Sequence, residues 1–336
     1  MKRIIVFCLI MILALGTANA YALNSNLETE EVNFKITEPY DYPIVPKTEE
    51  WNELQDHMKM IEVCTIPNDI LNRMTTQALM ETVANYPLLV DMLVWDDNQT
   101  GYELVKEHFN GLQEFAERED ASEVLQTYME SFDSVVLYVN NSDASRIVVE
   151  TCLELIAADV QGTEGVLSSL TNNAVEVTNN NVVTPNNTRV PHYENLTYAD
   201  HGTTLSRVQA EEELLQEYYT PIVAIKDVSP SYNCHSYAWH STSSSNTNWI
   251  DDPSAYWLDN SYTEIATPTN GCQVVYLDAY GSVSGYTPIH SAIVLSTYDN
   301  PIESIVLSKW GYGAVYQHKL RICPYWYEAE EIKYYS

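Results

Sequence analysis

From Ile66 to about Leu170 the apolar residues recur at helical spacing, whereas from Gly271 to Cys323 they gather into short β-branched and aromatic runs. A chain whose helices come first and whose strands follow buries both as an α+β arrangement, with the strands in an antiparallel sheet. In "IPNDILNRMTTQALMETVANYPLL", Asn68 or Asp69 is placed to cap one helix and Thr75 or Thr76 the next, with Leu79, Val83 and Tyr86 on one face. "GYELVKEHFNGLQEFAER", "ASEVLQTYMESF" and "RIVVETCLELIAADV" continue the pattern. After one more helix, "SRVQAEEELLQEYY", the runs "CQVVYLDAY", "IHSAIVLSTY", "SIVLSKWGY" and "AVYQHKLRI" read as four strands separated by Gly, Pro, Asn and Ser.

With 336 residues the chain exceeds one typical domain, and composition shifts divide it. We expect a signal peptide at 1–20, an extended acidic lead-in at 21–62 with one helix near Trp51 to Met60, and an all-α domain at 63–170. An Asn-rich linker at 171–199 and an α+β domain at 200–336 complete the division. The linker reading rests on 171–191, where seven Asn and two Pro leave neither period nor long apolar run.

Lys2 and Arg3, an apolar run from Ile4 to Leu15 and the small-residue pattern Ala18-Asn19-Ala20 form a secretory leader, cleaved after Ala20. The run is too short to span a bilayer, so no stable membrane anchor is expected and the protein is read as secreted. Sixteen Lys and Arg against 47 Asp and Glu give a formal charge of −31. That field repels phosphate backbones and excludes nucleic acid as a natural partner. Five cysteines follow the leader: Cys64, Cys152, Cys234, Cys272 and Cys323. Either two bridges form, Cys64 to Cys152 and Cys272 to Cys323, leaving Cys234 odd, or all five are reduced apolar residues.

The stretch "SPSYNCHSYAWHS", 229–241, carries the chemistry. A helix starting there has Ser231 to Asn233 as its cap region and Cys234 in its first turn, where free N–H groups and the positive dipole end favour a thiolate. A thiolate needs a base, and His290 opens the apolar strand "HSAIVLS" after Gly285 and Pro288, at the mouth of the sheet. An orienting third group belongs on a neighbouring strand. His318, Ser308 and Lys309 qualify by position, Lys309 as a solvent-facing residue, and His318 is preferred. Asn233 either caps the helix or donates to an oxyanion. Cys234, His235 and His240 lack the spacing of a zinc site, and no phosphate-binding or calcium-binding motif occurs, so neither metal nor cofactor is expected.

Cys234 at a helix start, then "GCQVV" and "HSAIV" on successive strands, resembles the papain-like cysteine amidase and peptidase group that includes the NlpC-type and CHAP-type cell-wall hydrolases. The likeness covers about 200–336. It implies a papain-like domain in which Cys234 attacks an amide carbonyl, His290 carries the proton, and a thioester is released by water or by an amine. The substrate so implied is a peptide or the peptidoglycan of a cell wall. The helical domain is similar to one in secreted proteins of Gram-positive bacteria. Two positions depart from the family pattern: Cys272 stands where Asp is usual, and His235 where a small residue follows the nucleophile. His235 either reshapes the pocket or serves as a second base. The alternative expectation is a secreted surface or binding protein that retains the scaffold without catalysis.

Overall fold

The computed structural model describes residues 34–132, 137, 142–162, 174–278, 286–326 and 328–336. The expected leader, 1–20, lies outside these residues. From Thr37 to Ser336 the chain makes one compact unit of helices and sheet, so the mixed α+β class holds.

The helical half contains Thr76–Ala84, Asn98–His108, Asn110–Glu117, Ala121–Glu130 and Asp143–Val160. Thr75 is the cap of the first, its hydroxyl accepting from Ala78 N at 3.2 Å, and Asp97 caps the second. Asn68 and Asp69 fall inside the short helix Asn68–Leu71, where Pro67 holds the cap position without a side-chain bond. The single helix expected near Trp51 to Met60 is broken in two, Glu49–Asn52 and His57–Val63, because Asp56 caps a new start at Met58 N.

The strands in chain order are β1 (Tyr193–Glu194), β2 (Val223–Lys226), β3 (Asn248–Trp249), β4 (Glu264–Ile265), β5 (Gln273–Asp278), β6 (Thr287–Ser296), β7 (Ile305–Lys309), β8 (Val315–Lys319) and β9 (Glu331–Tyr335). Seven form an antiparallel sheet in the order β2-β8-β7-β6-β5-β9-β4, and β1 pairs with β3 apart from it. The four strands read from the sequence are β5 to β8. The flanking β2, β4 and β9 complete the sheet.

Register sorts the strands into two faces, since residues directly opposite in an antiparallel pair share a face. Tyr276 lies opposite His290, Val306 opposite His318 and Ser308 opposite Tyr316, which sets one face. The other carries Val275, Ser291, Ile293, Leu307 and Val315. Over this second face lies the turn that follows Cys234: Ala238 and Trp239 pack with Val275, Leu277 and Tyr335, while Tyr232 and Tyr237 pack with Val315. The first face meets the helical half. There Tyr325 donates to Val94 O at 2.9 Å and Tyr312 bonds Asn98, while Trp310 meets Tyr219, at the end of the helix Leu205–Tyr218, edge-on at 5.7 Å. Each large apolar side chain so buried contributes roughly 1.5–3 kcal/mol.

The segment expected to be a linker, 171–199, packs instead over its described part. Val182 and Val190 have no exposure and join the cluster of Ala238, Trp239 and Ile250. Its asparagines work as turn and clamp residues: Asn187 takes φ +65 between Thr184 and Thr188, and Asn179 and Asn181 both donate to Glu194. Asn-rich composition weakens local order, but Val182 and Val190, joined across the turn by a bond from Val190 N to Val182 O at 3.1 Å, supply the missing burial.

Candidate functional site

The turn bearing Cys234 is built by Asn233. Its Oδ1 accepts from Ser236 N at 3.1 Å and from Ile250 N, while Nδ2 donates to Ile250 O at 2.8 Å and to Asp96 Oδ2 at 2.9 Å. Asn233 therefore caps the helix, and with both amide protons committed it has none left for an oxyanion. From Cys234 the chain makes a short turn that passes into π-helical geometry over Ser236–His240. So few aligned peptides build little dipole. Cys234 is a free thiol with no exposure, and burial, with Asp96 nearby, pushes its pKa well above the usual range, opposite in direction to the activation expected at a helix start. The backbone groups of Ser291 and His235 act the other way on the sulfur. Cys64, Cys152, Cys272 and Cys323 are also free and buried.

His290 sits on the half of β6 that β7 leaves open. β6 pairs with β7 through Ile293, Val294 and Ser296 only, whereas its pairing with β5 runs through His290 to Thr287. Cys234 comes against this open half, its sulfur meeting the backbone of Ser291, the residue after His290. The imidazole is fully buried rather than at the sheet's mouth, stacked on Tyr325 at 4.0 Å and edge-on to Tyr276 at 5.1 Å. The register that puts His290 on the helical side of the sheet explains this burial. Neither ring nitrogen has a hydrogen-bond partner, Cys234 included. Burial, then the neighbouring His235 and His318, drives its pKa well down, so the ring is neutral.

Two other histidines are held by matching relays. Trp310 Nε1 donates to Ser308 Oγ at 3.0 Å, and Ser308 bonds His318 Nε2 at 2.7 Å. His318 Nδ1 donates to Lys319 O at 2.8 Å, which fixes the tautomer and makes Nε2 the acceptor. Likewise Trp239 Nε1 donates to Ser291 Oγ at 2.9 Å, Ser291 bonds His235 Nδ1 at 2.8 Å, and His235 also bonds the backbone of Pro288. Burial lowers His235 and His318 to about 4 each. Neither ring nitrogen of His290 bonds His318 or Ser308, so no hydrogen bond makes either of them its orienting partner. Both are spent on holding β7 and β8 together.

Lys309, expected to face solvent, has no exposure. Its ammonium donates to Gly311 O at 2.9 Å and Gly313 O at 2.8 Å and lies 5.1 Å over the Tyr232 ring. Burial lowers its pKa to about 7, against the attraction of Asp96, Cys234 and Glu211. The reason is the face it occupies, the one covered by the Cys234 turn.

Above that turn opens a cleft of about 270 Å³ whose lining includes Trp95, Asp96, His235, Trp249, Asp251 and Tyr325. Burial raises Asp96 to about 7, with Asp251 and Asp97 adding to the rise and the Asn233 bond opposing it. Sequence reading missed these carboxylates. The run Trp95-Asp96-Asp97 shows only that an acid precedes a helix, and Asp251 lies far off in sequence. Among the described residues no group of three or more His, Cys, Asp or Glu is placed to hold a metal ion, and no helix is long and apolar enough to cross a membrane. The chain matches no protein-family model, no curated protein and no solved structure.

Proposed function

We propose that the protein is a secreted cysteine hydrolase with a papain-like α+β half, which opens a peptide or peptidoglycan amide through Cys234 and His290. One observation carries this reading: a free thiol whose sulfur meets the backbone of Ser291, the residue that follows His290 in the same strand, and a His290 imidazole that is wholly buried with both nitrogens unpaired. Two unpaired buried nitrogens cost about 1–3 kcal/mol each, a cost a purely structural residue has no reason to carry. Phe or Leu would fill the space between Tyr276 and Tyr325 without it.

In this mechanism the resting pair is neutral, thiol and imidazole. As the Cys234 sulfur forms its bond to the substrate carbonyl carbon, the thiol proton passes to His290. His290 returns that proton to the departing amine nitrogen as the amide C–N bond breaks, leaving a thioester on Cys234. Water then adds to the thioester and releases the acid. The lowered pKa of His290 keeps it unprotonated, and so able to accept, at neutral pH.

A second reading, a binding protein that keeps the scaffold, is favoured by the thiol's lack of exposure and raised pKa. Iodoacetamide labelling from pH 5 to 9, with mass spectrometric location of the adduct, separates the two. Catalysis requires Cys234 to react faster than Cys64, Cys152, Cys272 and Cys323, and His290→Ala to slow it at least tenfold. Should Cys234 react no faster than those four, the hydrolase reading goes and the binding reading stands.

A further inference from the structure

The cleft over the Cys234 turn holds chemistry that neither thiol nor imidazole uses. Trp95 is 4% exposed, leans on Tyr325 with ring centroids 4.1 Å apart, and its indole N–H meets no acceptor. Beside it Asp96 Oδ1 is buried and unpaired, its Oδ2 being taken by Asn233. Asp251, at the more open side, accepts the Trp249 indole N–H at 3.0 Å, and Asp97 bonds Thr100 at the helix start. No lysine or arginine forms an ion pair with Asp96, Asp97 or Asp251 among the described residues. Lys309, a cation whose charge acts on Asp96, is tied to Gly311 and Gly313.

An unpaired donor and an unpaired acceptor on adjacent residues, in a wall with excess negative charge, define what fits. An anion is repelled. A neutral sugar leaves the carboxylates uncompensated in a partly dry site. A metal ion lacks a ligand cluster. A primary ammonium offers three donors that reach more than one carboxylate, and a carbonyl beside it meets the free indole N–H.

We infer that this cleft binds a primary ammonium group flanked by an amide carbonyl, with the ammonium between Asp96 and Asp251, the carbonyl on Trp95 Nε1, and the remainder of the ligand against Trp249. The inference rests on the proposed hydrolase only in making this group part of the substrate. The recognition itself needs neither Cys234 nor His290.

The test is calorimetric titration of the Cys234→Ala protein, which cannot turn the probe over. L-alaninamide supplies both groups, and N-acetyl-L-alaninamide keeps the carbonyl but loses the charge. Expected are saturable binding of L-alaninamide and at least tenfold weaker binding of the acetylated probe. Asp251→Asn is expected to weaken L-alaninamide at least fivefold, Trp95→Phe to weaken it less, and Glu123→Gln, far from the cleft, to leave it unchanged. Equal binding of the two probes overturns the inference. So does a loss in Glu123→Gln as large as in Asp251→Asn, which marks general attraction to a chain of charge −31. If Trp95→Phe or Asp251→Asn melts below the assay temperature, Asp96→Asn takes its place under the same criterion. L-alaninamide binding without enhanced Cys234 labelling sinks the hydrolase and keeps the cleft, and the reverse result sinks the cleft alone.

Discussion

At the scale of single residues, the polar side chains inside the sheet divide into those fully satisfied and those left open. The Trp310–Ser308–His318 relay ends on a backbone carbonyl and leaves no atom of the three without a role. Ser308→Ala strands the Trp310 N–H and His318 Nε2 together, and is expected to cost about 2–4 kcal/mol in a denaturant titration. A loss below about 1 kcal/mol shows that the relay is ornamental. The neutrality of the relay histidines has its own signature. With folded pKa values of about 4 against an unfolded value near 6.5, His235 and His318 leave the unfolded chain binding more protons across that window. Their contribution to stability therefore declines as pH falls from about 6.5 to about 4. Histidine NMR resonances at these two positions are expected to stay in the neutral form at pH 5.5, and titration near 6.5 contradicts the assignment. Lys309 illustrates why such residues are not legible in sequence: lysine reads as solvated, and only the covering turn makes it buried.

Among the elements, β5 to β8 were legible because β-branched runs with Gly and Asn breaks encode them locally. β2, β4 and β9 were not: "VAIK" and two-residue β4 are too short to show a period, and Glu331–Tyr335 mixes charge with tyrosine. The Cys234 turn was legible through its Asn cap, but its depth and the raised thiol pKa depend on the sheet beneath and on Asp96, which lies 137 positions away. The packing of 174–199 was hidden for the same reason, since Val182 and Val190 earn their place only against Trp239 and Ile250. The turn after β7 is one place where the two halves meet closely. Gly311 takes φ +47, and a Cβ there would lie 2.5 Å from Trp95 O. Gly311→Ala is expected to cost about 1–2 kcal/mol for the left-handed backbone alone, with the clash adding to it. It also displaces Trp95, so weakened L-alaninamide binding in a folded Gly311→Ala protein is the checking measurement, and unchanged affinity contradicts the link.

At the scale of the whole molecule, a chain long enough for two domains, and with a composition break between them, makes a single compact unit from Thr37 to Ser336. The physical reason is that the sheet's first face has no cover of its own. Trp310 meets Tyr219, Tyr325 bonds Val94, and Tyr312 bonds Asn98. Behind them His57 bonds Asp91 and Tyr219 at 2.8 Å each, with Tyr219 also donating to Asp91, so that three distant stretches share one buried polar centre. Removing the carboxylate of such a buried centre takes a charge-assisted hydrogen bond from His57 and another from Tyr219, and loss of one partner of a buried polar pair typically costs about 3–5 kcal/mol. Asp91→Ala is therefore expected to lower stability by about that much, although Asp91 lies in the helical half, in the short helix Leu89–Leu93. Because the two halves share this centre and the aromatic face, the loss is felt by both. Calorimetry of the wild type should show one cooperative transition, and Asp91→Ala should move all of it. The tryptophans make the distinction measurable: far-ultraviolet ellipticity follows mainly the helices, while five of the seven tryptophans that give the near-ultraviolet signal, Trp239, Trp249, Trp257, Trp310 and Trp326, lie in the α+β half. Coincident curves for both probes are expected in wild type and variant alike. If Asp91→Ala shifts the helical signal and leaves the tryptophan signal in place, the halves are separate cooperative units and the shared centre does not couple them.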